Sequence, residues 1–376
     1  MQHRPFGRSG LPVGVVSLGT EYLLDLPQDH ITRVVRHSIE RGINYFDIFY
    51  AQERFRDAMG VALDGMRDRV MLSAHLGVHE VGGQNAKTRD LDVAERYFHE
   101  YLRRLRTDHV DVLFVHNIDA QEDYDWAMAN LLPLAQRLRD RGKARLIGFS
   151  GHTLTTSRQA VEAGAIDVLM FPINIAGHSV PGIADLLRAC AEGNVGLVAM
   201  KPFGGGRLLR PETAVAIRDY QRGAGLNEED VVIGERPAVL TPVQCLAYVV
   251  SRIGVTTALP GCKSVEEVDA ALALLDADDE AKDFAHILPS LGDYVTGECV
   301  YCNHCLPCPA HIAIGHTLRL ADESLGDPSP AQRAAYAAME VPASDCIVCN
   351  ACTERCPFGV DTMERVAQAA ALFEEG

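Results

Sequence analysis

Along the first 285 residues, short runs dense in apolar and β-branched residues alternate with longer stretches in which apolar positions recur every three or four residues. The short runs are VGVVSLG, INYFDI, VMLSAHL, VDVLFVH, ARLIGFS, DVLMFPIN, GLVAMKP and TTALPG. Each has strand length and polar, Gly or Pro boundaries, so eight strands are predicted. Between them lie DHITRVVRHSIERG, LDVAERYFHEYLRRL, DYDWAMANLLPLAQRLRDRG, TSRQAVEAGA, IADLLRACAEG, TPVQCLAYVVSRIG and SVEEVDAALALL. These have helical spacing, and several end in a Gly that stops a helix. Eight strand–helix units favour a closed (β/α)8 TIM barrel over an open doubly wound sheet. In such a barrel all the loops that follow strands open onto one face. The polar residues at strand ends, Asp47, His75, His116, Ser150, Asn174, Lys201 and Lys263, are therefore expected at one mouth.

Beyond residue 285 the pattern changes, and two domains are expected: a barrel over 1–285 and a small, mostly helical cluster domain over 286–376. HIAIGHTLRLADESL and PSPAQRAAYAAME carry helical spacing between two dense cysteine runs. The first run is Cys299, Cys302, Cys305, Cys308 with Pro309 following; the second is Cys346, Cys349, Cys352, Cys356 with Pro357 following. Gaps this short let successive thiolates converge on one inorganic cube, and two [4Fe-4S] clusters are the predicted ligands. In two-cluster ferredoxins the fourth cysteine of each run serves the other cluster. That pattern groups Cys299, Cys302, Cys305 and Cys356 on one cube, and Cys346, Cys349, Cys352 and Cys308 on the other. The first run has two residues, not three, before its fourth cysteine, which leaves Cys308 the least secure of the eight. Zinc is the plainer alternative for CxxC pairs. Cys190, Cys245 and Cys262 stand apart and are expected to be inert thiols, the first two buried in helices.

Charge and length narrow the function classes. A formal net charge of -16 on 376 residues opposes phosphate backbones and anionic lipid surfaces, so neither nucleic acid nor membrane is an expected partner. The first residues contain no uninterrupted apolar segment, and a cytoplasmic location is expected.

Six segments in order carry a family resemblance: FGRSGLPVGVVSLG, RGINYFDI, DHVDVLFVHNID, KARLIGFSGHT, LVAMKPFGGGRLL and LPGCKSVEEVDAAL. From about Phe6 to Leu272 the chain resembles the aldo-keto reductases, NADPH-dependent (β/α)8 oxidoreductases. The whole chain resembles the branch with a ferredoxin-like tail. The resemblance implies a catalytic tetrad of Asp, Tyr, Lys and His, in which the phenol protonates the substrate oxygen and the lysine lowers its pKa. Asp47 and His116 match the aspartate and histidine. Gln52 stands at the tyrosine position, with Tyr50 as the nearby substitute, and His75 takes the place of the lysine. Histidine titrates near neutrality where lysine stays cationic, so the implied tetrad Asp47, Tyr50, His75, His116 differs in chemistry from its relatives.

For the nicotinamide cofactor the resemblance implies contacts from Gly19, Thr20, Ser150, Lys201, Gly204, Gly205, Lys263 and Ser264. Lys263 and Ser264 open the last barrel helix, where a 2′-phosphate would meet a helix N-terminus. Gly151 and His152 replace the usual Asn after Ser150, Met170 replaces a glutamine, and Ala270 and Ala271 replace the pair that meets adenine. Each replacement removes a hydrogen bond worth roughly 0.5 to 1.5 kcal/mol. His152 is a further candidate for substrate contact, and His304, His311 and His316 are expected to tune or flank the clusters.

The favoured reading is an oxidoreductase acting on a small carbonyl or hydroxyl compound, with electrons passed through two clusters, with or without NADP(H), and an electron-transfer protein as partner. A non-redox lyase or epimerase with structural clusters, and an electron-transfer module with a vestigial barrel, remain open.

Overall fold

The computed structural model of the protein describes residues 1–24, 26–177, 180–209, 240–284, 299, 305–306, 308–324, 326–356 and 360–374. Eight parallel strands follow one another in chain order: β1 Leu18–Gly19, β2 Tyr45–Asp47, β3 Met71–Leu76, β4 Val110–Val115, β5 Ala144–Ser150, β6 Val168–Pro172, β7 Gly196–Met200 and β8 Val255–Leu259. Parallel bridges Val16↔Ala258 and Gly19↔Gly261 join the first strand to the last and close the barrel. An antiparallel hairpin, His3–Pro5 with Pro12–Gly14, precedes it.

Side-chain alternation along the strands decides what enters the barrel. Tyr45, Met71, Val112, Phe114, Met170 and Val198 form the interior core with Phe6 from the hairpin. Their neighbours Phe46, Leu72, Leu113 and Leu197 belong instead to the layer against the helices. With a period of two, the inward face continues from Tyr45 to Asp47, from Met71 to Ser73 and His75, and from Phe114 to His116. Polar residues thus follow apolar ones on the same face as the strands approach the mouth.

Helices α1 Gln28–Glu40, α2 Glu53–Ala62 and α3 Leu91–Arg104 cover the early strands. The single helix expected over 123–142 is two, α4 Gln121–Ala129 and α5 Leu131–Asp140. Pro133 has no N–H to offer the carbonyl of Ala129 and its ring clashes there, so the chain breaks at Asn130, whose φ is -126°. Helices α6 Leu154–Glu162, α7 Ile183–Glu192, α8 Pro242–Val250, α9 Val265–Leu272 and α10 Asp279–Lys282 complete the barrel layer described. A second hairpin, Val78–Val81 with Gln84–Lys87, sits between β3 and α3. Its turn, Gly82–Gly83, has φ of 58° and 82°, the positive values a two-residue hairpin turn requires.

The cysteine-rich region contains α11 Ile314–Glu323, α12 Pro330–Ala337, α13 Ala351–Arg355 and α14 Thr362–Glu374. It has its own small core of Ile312, Ile314, Leu318, Val366 and Phe373, with Tyr336 stacked on Phe373 at 4.4 Å. Val360 joins the barrel's helix-facing core, and Cys299 and Cys356 pack against that same core. The expected boundary at 285 falls on residues 285–298, outside the described residues.

Candidate functional site

At the mouth, four inward-facing side chains form one hydrogen-bonded line. Ser73 Oγ donates to Asp47 Oδ1 at 2.5 Å, and the same Oδ1 meets His75 Nε2 at 2.8 Å. His75 Nδ1 in turn lies 3.0 Å from His116 Nδ1. Strand register brings this about, since Asp47 is paired with Ser73 and His75 with Phe114 in adjacent parallel strands. Asp47 and His75 are buried, at 4% and 6% exposure, so their contact is little screened by water. Thr20 fixes the backbone beneath, its N–H and Oγ1 both donating to Asp47 O at 3.3 and 2.7 Å.

His116 is held from outside as well. Arg89 makes a bidentate pair with Asp123, at 2.5 and 2.6 Å, and reaches the carbonyls of His116 and Asn117. Lys87, at the end of the second hairpin, joins Asp123 at 2.8 Å and Asn117 O at 3.1 Å. Burial holds the His116 imidazole well below its ordinary pKa, and the neighbouring His75, Arg89, His152 and Lys87 act in the same direction. A neutral imidazole with one bare ring nitrogen results at neutral pH.

Tyr50 does not join this line through the contacts described. Phe49 meets both histidines, 5.9 Å from His75 and 6.3 Å from His116 between centroids, and Phe114 stacks on His75 at 5.0 Å. Tyr50 packs on Phe49 at 4.1 Å and on Phe55 at 5.9 Å. The second hairpin anchors this loop, with Asn85 Oδ1 accepting from Ala51 N at 2.8 Å.

Sequence reasoning missed an ionisable group at the mouth, on the β1 side of Asp47. Glu21 opens a short 3-10 turn, Glu21–Leu23, directly after β1. Burial pushes its carboxyl pKa up to about 7; the charge of Asp47 also raises it, while Lys201 lowers it. Lys201 is held below the usual lysine range by burial, against the pull of Glu21 and Asp119. Asp119 also binds His152, through the backbone N–H at 2.5 Å and Nδ1 at 3.2 Å. A carboxylate in the first residue after Gly19–Thr20 is the signal that could have drawn attention to Glu21.

Ser150 is buried at the end of β5, and Gly204 and Gly205 follow β7 with φ of 55° and 68°. Asn174 is spent on structure: its Nδ2 donates to Lys201 O at 3.1 Å and its Oδ1 accepts from Ala176 N and Gly177 N. Met170 lies in the barrel interior and offers no polar atom. At α9, Ser264 Oγ accepts from Glu267 N at 3.3 Å as the helix N-cap. Glu267 in turn takes the Lys263 N–H at 2.8 Å and lies 3.9 Å from Lys263 Nζ. The Glu267 carboxylate is thus already partnered with Lys263, and Ser264 Oγ with the helix N-terminus.

Cys308, Cys346, Cys349 and Cys352 line one cavity, closed on its apolar side by Ile314 and Val366. They surround this space without meeting at a point; among the described residues no three His, Cys, Asp or Glu side chains are close enough to hold a metal ion. Cys190, Cys262, Cys308, Cys346, Cys349, Cys352 and Cys356 are free cysteines. Cys302 and His304 lie outside the described residues, while His311 and His316 are exposed. Cys190, Cys245 and Cys262 are buried, and burial pushes the thiols of Cys190 and Cys262 up to about 12, as expected of inert cysteines.

Residues 11–288 match the Aldo/keto reductase family. A protein of Arabidopsis thaliana described as L-galactose dehydrogenase is 27% identical over 217 residues, covering 54% of this chain and 66% of that protein. The chain thus spans just under two thirds of that relative's length. An aldo-keto reductase from Bacillus halodurans, in its holo form, superposes with a TM-score of 0.61 at 21% identity, over 78% of this chain and 96% of the other. An aldo-keto reductase from Klebsiella pneumoniae in complex with NADPH gives 0.53 at 20% identity, over 77% and 95%. At these identities the structures share the fold.

Proposed function

The chain belongs to the aldo/keto reductase family, and we propose that it is an oxidoreductase converting a small carbonyl or hydroxyl compound at the barrel mouth, with two [4Fe-4S] clusters as its electron carriers. The observation that carries this reading is the cavity shared by Cys308 of the first run and Cys346, Cys349 and Cys352 of the second. Four soft thiolates around one space are the donor set of an iron-sulfur cube. The other cube would be held by Cys299, Cys302, Cys305 and Cys356; Cys299 and Cys356, far apart in sequence, already pack against the same core. When bound, each cube supplies or accepts one electron at a time. The cluster unit over 286–376 would exchange those electrons with a protein partner.

At the mouth, the residues handle the proton. With Asp47 accepting from His75 Nε2–H, one hydrogen must lie between His75 Nδ1 and His116 Nδ1. If His116 supplies it, His116 Nε2 is a bare acceptor; if a protonated His75 supplies it, His116 Nε2 is free to carry a hydrogen and donate. Uptake of one proton at His116 Nε2, with the Nδ1 hydrogen passing on to His75, thus turns His116 from base to acid, and the reverse steps deliver a proton to a carbonyl oxygen. The 27% identical relative is named for a sugar substrate, so small polyhydroxy aldehydes and alcohols are the first class to test. The same line could move protons without redox chemistry; turnover indifferent to cluster redox state and needing no nicotinamide would select that reading.

A nicotinamide dinucleotide fits in part. Ser150, Lys201 and the Gly204–Gly205 turn would hold its nicotinamide half, and the chemistry it supplies when bound is hydride transfer. At the phosphorylated ribose, the Glu267 carboxylate competes for Lys263 and repels a 2′-phosphate. Glu267→Gln should therefore tighten NADPH roughly fivefold while leaving NADH within about twofold, measured by fluorescence titration.

The deciding experiment is anaerobic purification with iron and sulfide counting, then titration with dithionite and NADPH followed by visible absorbance and product analysis. Bleaching of the cluster absorbance that is reversed by a small carbonyl substrate, with the alcohol formed, is expected. Clusters that stay oxidised in a competent enzyme would exclude the electron-carrier role.

A further inference from the structure

We propose that Glu21 is a second proton-transfer residue of this mouth, exchanging a proton with the substrate oxygen while Lys201 balances the charge left on its carboxylate. The inference rests on the oxidoreductase reading above and assigns it a residue that the family tetrad does not contain.

The seam between β1 and β8 is built around this side chain. A Cβ on Gly19 would lie 2.6 Å from Glu21 Oε2, and one on Gly261 would meet the Tyr22 ring first and Glu21 Oε1 at 2.8 Å. Two strand-end glycines, bridged to each other across the closure, thus leave room for the Glu21 carboxyl group and, at Gly261, for the Tyr22 ring beside it. The turn that carries it is fixed on both sides: Gly19 N donates to Pro260 O at 2.9 Å, and Thr20 donates twice to Asp47 O. Leu23 N closes the turn onto Thr20 O at 3.0 Å. Glu21 is therefore placed by the barrel backbone, the rigid mounting a catalytic group needs.

Its surroundings govern its charge. Asp47 on β2 opposes ionisation, Lys201 at the end of β7 favours it, and the buried Cys262 thiol after β8 faces it as well. Lys201 is shared with Asp119, so it does not neutralise Glu21 alone. A carboxyl poised near neutrality in a partly closed mouth is suited to both giving and taking a proton. The need is apparent in the same place, because Gln52 stands where a phenol would serve and Tyr50 packs against Phe49.

The step balances on its own. During carbonyl reduction the carbon gains its new C–H bond from the hydride of a reduced nicotinamide dinucleotide, or from two cluster electrons and a solvent proton. The C–O π electrons move onto oxygen, the Glu21 O–H bond breaks, a new O–H bond forms on the substrate, and the carboxylate is left beside Lys201. Solvent then returns the proton, and alcohol oxidation runs the same steps backwards. The two electrons are those of the oxidoreductase reaction; Glu21 handles only the proton.

The test uses the full-length holoprotein and Glu21→Gln. Infrared difference spectra should show a carboxyl titrating near pH 7 in the wild type and absent from the variant, and Lys201→Met should move that titration upwards. Carbonyl reduction by Glu21→Gln should lose roughly a hundredfold in kcat with KM within about threefold, and lose the decline in rate that the wild type shows above pH 7. Thermal melts supply the folding control. Because the folded-state pKa is raised from 4.5 to about 7, Glu21 costs stability increasingly as pH rises through that interval and by a constant amount above it. The variant should accordingly match the wild type at pH 4 and exceed it at pH 8. No carboxyl titrating near pH 7, or a variant keeping wild-type kcat and pH profile, overturns the assignment. Absence of any carbonyl turnover in the wild type would instead sink the oxidoreductase reading, and the infrared titration with its Lys201→Met shift would still decide whether Glu21 holds an exchangeable proton there.

Discussion

On the iron-sulfur proposal, Cys308→Ser should yield a protein with about four iron atoms per chain where the anaerobic wild type should hold about eight. The serine oxygen is a harder donor that stays protonated at neutral pH, so a cube held by three thiolates and one alcohol is lost or degrades during purification. Cys308 shares its cavity with Cys346, Cys349 and Cys352, so the surviving cluster should be the one assigned to Cys299, Cys302, Cys305 and Cys356. Cys356→Ser is the reciprocal variant and should remove that cluster instead. The two single variants should therefore give distinct electron paramagnetic resonance spectra that sum to the reduced wild type. Loss of the same cluster in Cys308→Ser as in Cys305→Ser would mean that each run serves its own cluster, and two zinc ions with no sulfide would end the iron-sulfur reading. The cysteine-rich region has only a small apolar core around Leu318, Val366 and Phe373, so cluster loss should also expose it to proteolysis while the barrel survives.

The second large effect belongs to the line at the mouth. His75→Gln and Asp47→Asn should each lower kcat roughly a thousandfold with a much smaller change in KM, the pattern of a proton relay. Gln is chosen because truncation to Ala would strand the buried Asp47 carboxylate, at a cost of about 3 to 5 kcal/mol. His116 gives the same line a signature in stability. Its folded-state pKa is depressed by burial, so its contribution is fully present above the ordinary value of about 6.5 and is lost as pH falls below it. Urea unfolding at pH 5 and 7.5 should show that the wild type is penalised by acid more than His116→Gln. Equal penalties would mean that the imidazole is solvated in the folded protein, and variants with wild-type kcat would remove the relay from the mechanism.

Local pattern carried most of the architecture. Eight apolar runs and their intervening helical periods were enough for a barrel, because alternation of period two and of 3.6 are properties of neighbouring residues. The same alternation already implied that Asp47, His75 and His116 share the inward face. It could not show that Asp47 and His75 meet at 2.8 Å, which depends on the register of β2 against β3. Details under local control were still missed where one residue overruled a long pattern. Pro133 divides a predicted helix, and Gly82–Gly83 folds a hairpin out of what reads as a loop.

The amino-acid sequence by itself determined the barrel, the two cysteine runs and the substitutions in the family tetrad, since each is written in residue type and spacing. Tertiary structure alone put Cys308, Cys346, Cys349 and Cys352 around one cavity, set the Phe49 ring beside both histidines, and brought Glu21 near Asp47 and Lys201. The physical reason is distance along the chain. Glu21, Asp47 and Lys201 come from β1, β2 and β7, and the environment that sets their charge exists only once closure of the barrel brings those strand ends around one mouth.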